Sequence, residues 1–265
     1  MTSISCRIPR HSIEKPFFVS DYSLDVDMQS FASYTSETNN AFGFHCEVET
    51  MKKISALILD CDGVMFESRQ ANINFYNHLL FHFNLPPMSE EEERFVHMHT
   101  ADEGIRRIFS GTPYVTQALR YRMQMDYTPF IRDMILEPGL KTLLKSLWGK
   151  LGLAVATNRS NTIERVLELH GLSRYFDIVV SSLDVKSPKP HPEYLLKILR
   201  FFKIGADEAL YVGDSLVDYE TARAAGVPFI SYKNKALTAD YYLDQLIDIP
   251  GLIGPEYEDS IPHNV

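Results

Sequence analysis

From residue 54 onward the chain alternates between short apolar runs and longer stretches whose apolar residues recur at helical spacing. Residues 54–59, 151–156, 178–180, 209–212 and 228–231 are brief and rich in β-formers, as strands buried on both faces of a sheet require. Between them lie helical patterns. Residues 140–148 carry one. The next opens at Asn161 as cap, with Glu164 three residues on, puts Ile163, Val166 and Leu167 on one face and stops at Gly171. Pro192 starts a helix running to about Phe202, and Ser215 caps another that finishes at Gly226. This alternation predicts an α/β fold with a doubly wound parallel sheet.

One stretch breaks the rhythm. Residues 70–135 contain helical patterns (Phe75, Leu79, Leu80 and Phe83; an acidic first turn after Ser89; residues 102–109 and 114–127) but nothing that reads as a buried strand. That is too much material for a simple strand-to-helix connection, so it is expected to be an inserted helical domain. The α/β core then comprises residues 51–69 and 136–235. Residues 1–50 show no sustained period and are expected to form a weakly ordered extension. Met51 is a natural beginning for the folded unit, an expectation that N-terminal sequencing of native protein tests. Residues 238–247 are expected to add one helix within a C-terminal tail of residues 236–265, whose Pro- and Gly-containing end is expected to be loose.

A hydrophobic fraction of 45% is ordinary for a globular chain of 265 residues. The formal net charge of −9 argues against a nucleic-acid partner, which would need a basic face. A small anionic substrate remains compatible with it, because local cations and a metal override the average field. Cys6, Cys46 and Cys61 are too few and scattered for a disulfide framework or zinc site. The pattern holds no membrane-spanning run and no basic-then-apolar signal sequence, so no membrane partner and a cytoplasmic location are expected.

Candidate chemistry gathers where the strand patterns end. The first run stops at Asp60-Cys61-Asp62-Gly63, the second at Thr157-Asn158, and the fourth at Gly213-Asp214-Ser215 with Asp218 a helical turn later. Lys186 and Lys189 precede that fourth run, and Lys189 sits between two prolines that stiffen its backbone. In a parallel sheet all these ends lie on one edge, where ligands bind. Buried carboxylates are costly unless a cation or donor satisfies them. Together the groups suit phosphoryl transfer. A carboxylate can attack phosphorus, Asp60 and Asp214 can hold Mg²⁺, Thr157 and Lys189 can neutralise the transferring oxygens, and Asp62 can protonate a leaving group and later activate water. Each residue also has a plainer reading: Asp214 as a turn residue, Asp218 as the partner of Ser215 in a capping box, Thr157 bonded to its own backbone, the lysines solvated. The four features in one array favour the functional reading.

With these motifs in order, residues 54–232 resemble the haloacid dehalogenase-like hydrolases, in particular phosphatases of the phosphoglycolate phosphatase and β-phosphoglucomutase type. Asp60-Cys61-Asp62-Gly63-Val64 looks like the family's first motif, Thr157-Asn158 its second, Lys189-Pro190 its third and Gly213-Asp214-Ser215-x-x-Asp218 its fourth. The resemblance implies Asp60 as nucleophile and Asp62 as general acid/base. It places Thr157, Asn158 and Lys189 at the phosphate, Mg²⁺ on Asp60, the Asp62 carbonyl and Asp214, and Asp218 in support of the metal. Residues 70–135 would be a helical cap. Asp62 favours phosphate esters over carbon–halogen bonds, and the absence of lysine from residues 70–135 argues against a Schiff-base phosphonate route. The expected partner is a small phosphorylated metabolite. A sugar phosphomutase and a non-catalytic binding module on the same fold stay open as alternatives. In the helical insertion Arg94, Arg106, Arg107, Arg120 and Arg122 offer a fork for a carboxylate or second phosphate, against the plainer reading of solvated surface arginines.

Overall fold

The computed structural model describes residues 53–254 and Tyr257. The expected extension over residues 1–50 and Met51 itself lie outside the described residues.

The chain opens with strand β1 (Ala56–Leu59) and reaches a two-residue strand β2 (Phe66–Glu67). Five helices follow: α1 (Arg69–His82), α2 (Glu90–Met98), α3 (Ala101–Ile108), α4 (Val115–Gln124) and the short α5 (Thr128–Ile131). Strand β3 (Ile135–Leu136) returns the chain to the sheet, followed by α6 (Leu140–Leu147), β4 (Gly152–Ala156), α7 (Ile163–Leu169), β5 (Ile178–Val180) and α8 (Glu193–Phe202). Then come β6 (Ala209–Gly213), α9 (Leu216–Ala225), β7 (Phe229–Tyr232), β8 (Tyr241–Leu243) and α10 (Ile249–Ile253).

Six strands form one parallel sheet in the order β5-β4-β1-β6-β7-β8. Successive side chains of a strand point to opposite faces, and the core divides accordingly. Leu57, Leu59, Leu153, Val155, Leu210 and Val212 pack with α6, α7 and α10 on one face, while Ala56, Ile58, Ala154, Ala156 and Tyr211 meet α8 and α9 on the other. Because both faces are covered, the strands read as unbroken apolar runs. The chain winds outward in both directions from β1, so the reversal of strand order falls beside Asp60, where an open α/β sheet places its ligand crevice.

The helices of residues 69–131 have their own core, built from Phe75, Leu79, Leu80, Val96, Ile105, Phe109 and Ala118. Reciprocal capping boxes, Ser89 with Glu92 and Thr100 with Glu103, start α2 and α3. The antiparallel pair β2–β3 ties the chain where it leaves the sheet to where it returns. Strands two residues long carry too little pattern to be read from sequence.

Three local expectations are corrected. Residues 238–247 form no α-helix, only the start of a 3-10 turn at Leu246–Asp248: β8 pairs along the outer edge of β7, and Asp240 clamps the register by donating its N–H to the Phe229 carbonyl (3.1 Å) and accepting the Phe229 N–H on its carboxylate (2.8 Å). Without β8 the outer edge of β7 would be unpaired, and Tyr241-Tyr242-Leu243 are good strand formers. The tail beyond it is not loose as far as it is described, since Leu246 and Ile249 are fully buried. Asn161 is not the cap of α7 either. Thr162 holds that place without a side-chain bond, and Asn161 Oδ1 instead accepts from Ser160 Oγ at 3.1 Å. No described helix is long and apolar enough to cross a membrane.

Candidate active site

The site is assembled by turns that close at the ends of β1, β4 and β6. After β1, the Asp60 N–H still bonds the Val212 carbonyl at 2.9 Å, so Asp60 is held as an extension of the strand. The chain then turns back on itself, with Gly63 N donating to Phe66 O at 2.8 Å. Gly63 has φ +79°, and a Cβ on it would lie 2.1 Å from Asp214 Oδ2. Only glycine permits both the left-handed backbone and the close approach of that carboxylate. At the end of β6 a Cβ on Gly213 would lie 2.4 Å from Asp218 Cβ, so that residue too must be small for α9 to begin where it does. Asp218 is the N3 residue of a reciprocal capping box with Ser215.

Four carboxylates and two cations gather here: Asp60, Asp218, Lys189 and Arg159 are buried, and Asp62 and Asp214 half-buried. Lys189 Nζ bonds Asp60 Oδ1 and Asp218 Oδ1, each at 2.8 Å, and its side chain is only 2% exposed. The two acids share one cation but not equally. Asp218 also accepts Tyr211 Oη at 2.5 Å and both the N–H and Oγ of Ser215. Burial raises its carboxyl, but Lys189 and those donors outweigh burial and hold it below the ordinary range. Asp60 has the single ammonium bond. Burial pushes its carboxyl up to about 7; Lys189 opposes the rise, and Asp218 and Asp62 add to it. Asp214 is pushed well above the usual range by burial, then by Asp218 and Asp60. Among the described residues no donor bonds the Asp214 carboxylate; its backbone carbonyl accepts from Asn234 Nδ2 at 2.8 Å.

Asp62 meets a partner that the sequence did not single out. Arg159 grips it side-on, Nε to Oδ2 at 2.7 Å and Nη2 to Oδ1 at 2.6 Å. Burial raises the Asp62 carboxyl, but this guanidinium overrides burial and holds it low. Arg159 Nη1 reaches Tyr127 Oη at 3.1 Å, which links the sheet edge to the helical layer. The position of Arg159, two residues past Thr157 on the same edge, was the available signal. Tyr211 was missed as well. Its signal was a lone hydroxyl inside an apolar strand.

One cavity brings these groups together. It holds about 870 Å³ of empty space, part of it open to solvent, and is lined by Asp60, Asp62, Thr157, Lys189, Asp214 and Asp218 from the sheet edge. Asn72, His97, Arg122 and Tyr127 face them from the helices. Thr157 is buried, its Oγ1 accepting from Arg159 N at 3.1 Å. Asn158 also lines the cavity, but its side chain is taken up by the protein. Oδ1 accepts from Lys189 N (3.2 Å) and Tyr194 Oη (2.9 Å), and Nδ2 donates to Met98 O (3.3 Å). These bonds brace Lys189 and the end of α2. Lys186 is exposed and not part of the site. Arg94, Arg106, Arg107 and Arg120 are likewise exposed; Arg122 is not.

The donor set fits a divalent cation. Oxygens of Asp60, Asp214 and Asp218 lie within 4.8 Å of one another, and among the described residues only two cations, Lys189 and Arg159, form ion pairs with any of the four carboxylates. Fully ionised, the cluster carries two surplus negative charges in a setting where unpaired charge is costly. Asp60 and the unbonded Asp214 are the carboxylates placed to take a hard cation, because the oxygens of Asp218 already have protein donors.

The sequence profile of the haloacid dehalogenase-like hydrolases matches residues 57–232. A phosphoglycolate phosphatase from Escherichia coli (strain K12) is 26% identical over 236 residues, which span 79% of this chain and 92% of that protein. The crystal structure of a HAD-superfamily hydrolase of subfamily IA, variant 1, from Geobacter sulfurreducens PCA shows 42% identity and a TM-score of 0.67, covering 75% of this chain and 99% of that one. A β-phosphoglucomutase structure from Clostridium difficile shares the fold at TM-score 0.64 and 18% identity, over 78% of this chain and 96% of its own. The profile match runs from β1 through β7 and includes every strand end that carries a buried acid, lysine or threonine. The chain belongs to the haloacid dehalogenase-like hydrolases.

Proposed function

We propose that the chain is a Mg²⁺-dependent phosphatase of small phosphorylated metabolites that works through an aspartyl phosphate on Asp60. The observation that carries this reading is the asymmetry between acids that share one cavity. Asp218 is satisfied by protein donors, while Asp60 has one ammonium bond and Asp214 has none. A purely structural cluster would leave neither of them wanting a cation.

In this reading an Asp60 oxygen attacks phosphorus as the ester P–O bond breaks, and Asp62 gives its proton to the leaving oxygen. Water then attacks the aspartyl phosphate, Asp62 takes up its proton, and Asp60 is released with inorganic phosphate. Lys189 and Thr157 hold the equatorial oxygens, whose negative charge grows in each transition state. A divalent cation on Asp60, the Asp62 carbonyl and Asp214 supplies charge neutralisation and alignment when bound. The Arg159 pair holds Asp62 ionised, the form needed of the base in the second step. Entry of a phosphate dianion beside Asp62 favours proton uptake, which prepares it as acid for the first.

The helices of residues 69–131 act as the cap in this reading. Support comes from Asn72, His97, Arg122 and Tyr127, which form the cavity wall opposite the aspartates. The test is phosphate release from a panel of an aryl phosphate, phosphoglycolate and hexose phosphates, with Mg²⁺ and with EDTA, beside an Asp60→Asn control. Metal-dependent release that the control abolishes is expected. No metal-dependent turnover on any member, or sugar-phosphate interconversion without net release, would overturn it.

A further inference from the structure

The last rung between β6 and β7 pairs Gly213 with Ser231, and Asp214 leaves the sheet directly after it. Its carboxylate has no donor among the described residues, so the direction of that side chain depends on how its main chain is held. One side chain holds it. Asn234 Nδ2, 20 residues further along, donates to the Asp214 carbonyl at 2.8 Å. The bond stands where the strands no longer supply a rung.

Asn234 is itself fixed on several sides. Its Oδ1 accepts from Ala236 N at 3.2 Å, so each end of the amide meets a group of matching polarity. Its carbonyl accepts from Ser231 Oγ at 2.6 Å, and Ser231 is buried opposite Gly213. Lys233, with φ +52°, turns the chain back toward Asp214. Its N–H bonds the Leu243 carbonyl of β8 at 2.8 Å, and its ammonium bonds Glu137, which also accepts Tyr232 Oη at 2.7 Å. A plain turn asparagine is accounted for by the Ala236 bond alone. The Nδ2 bond lies outside that turn and ends on the residue that carries an unbonded acid.

Resting on the reading of Asp214 as a carboxylate of the metal, we propose that Asn234 is a positioning residue for that metal, its amide fixing the Asp214 main chain so that the carboxylate stays aimed at the oxygens of Asp60. Those oxygens lie within 4.8 Å of one another. Asn234 is not among the residues lining the cavity, so it acts through Asp214 and not on a substrate. A small hard cation held by one or two carboxylates demands close placement of each, and groups behind a ligand tune its affinity accordingly.

The test measures Mn²⁺ binding to the full chain without substrate, from loss of the free-ion electron paramagnetic resonance signal, with Mg²⁺ as competitor and Asp214→Asn as control. Wild type is expected to bind both ions and the control to lose them. Asn234→Ala is expected to weaken both roughly tenfold. Its melting temperature in EDTA falls by only about 2–4 °C, as one lost hydrogen bond in a chain of this size predicts. Asn234→Asp keeps the bond to Ala236 but sets an acceptor against the Asp214 carbonyl, and weakens binding at least as much. Ser231→Ala loosens the turn without touching Asp214, and weakens binding by a smaller factor. In turnover, Asn234→Ala raises the half-saturating Mg²⁺ concentration, while KM for the aryl phosphate at saturating Mg²⁺ does not move. Unchanged metal affinity in Asn234→Ala (or in Ser231→Ala, should the first variant not fold), or a raised KM without a change in metal affinity, would overturn the proposal and leave the metal reading standing. Wild type that binds neither ion, or Asp214→Asn that binds as wild type does, would remove the metal reading itself.

Discussion

Lys189 is the residue on which the site's charges balance. Its ammonium is buried between Asp60 and Asp218, and removing it strands two acids in the interior. Lys189→Met is expected to destabilise the fold by about 3 kcal/mol, measured by urea unfolding, because an uncompensated buried charge costs more than a lost contact. A loss under about 0.5 kcal/mol would mean that the acids are already neutral or solvated. Asp60 gives a pH prediction of opposite sense to the usual carboxylate. Its carboxyl is pushed up from 3.8 to about 7, so the stabilising protonated form is fully present below the unfolded value and lost as pH rises through the folded one. In EDTA, the melting temperature of wild type is expected to fall relative to Asp60→Asn between about pH 4 and pH 7, with Mg²⁺ closing the gap at the upper end. A gap that ignores pH would contradict this. Which acids gather was legible, because Asp60, Asp62, Asp214 and Asp218 stand at or just past the ends of apolar runs. How they are shared was not. Arg159 on Asp62 and Tyr211 on Asp218 are contacts between distant segments, and no local pattern encodes them.

At the scale of elements, the turn after β1 and the start of α9 are made for each other. Gly63 and Asp214 are far apart in sequence, yet the missing Cβ of one is where the carboxylate of the other lies. Gly63→Ala is expected to raise the Mg²⁺ concentration for half-maximal activity by about tenfold or more, since Asp214 must move and φ +79° is strained for alanine. Unchanged metal dependence would show that Asp214 is not the metal's carboxylate. Long helices and the central strands were legible from period and caps: Ser89, Ser215 and Gly226 sit where the caps place them. What escaped was short or edge structure. β2 and β3 have two residues each, and Tyr241-Tyr242-Leu243 becomes a strand because β7 offers it an edge, a tertiary fact that overrides the local pattern.

Over the whole molecule, two architectures meet at one cavity: a parallel sheet whose order reverses at β1, and a helical layer with its own core. The resemblance drawn from four spaced motifs is borne out for the family and the fold, because the fold puts all four on one sheet edge. The wall facing them was not legible, since five arginines on amphipathic helices look alike until packing buries one. The central claim is that the Asp60 carboxylate carries the phosphoryl group between ester and water. Its most direct test mixes enzyme, Mg²⁺ and substrate, quenches in acid within the first turnover, and locates the added phosphoryl mass by peptide mass spectrometry. A phosphoryl group on Asp60 is the predicted result; phosphate release with Asp60 unmodified, or the label on Asp62 or Asp214, would contradict it.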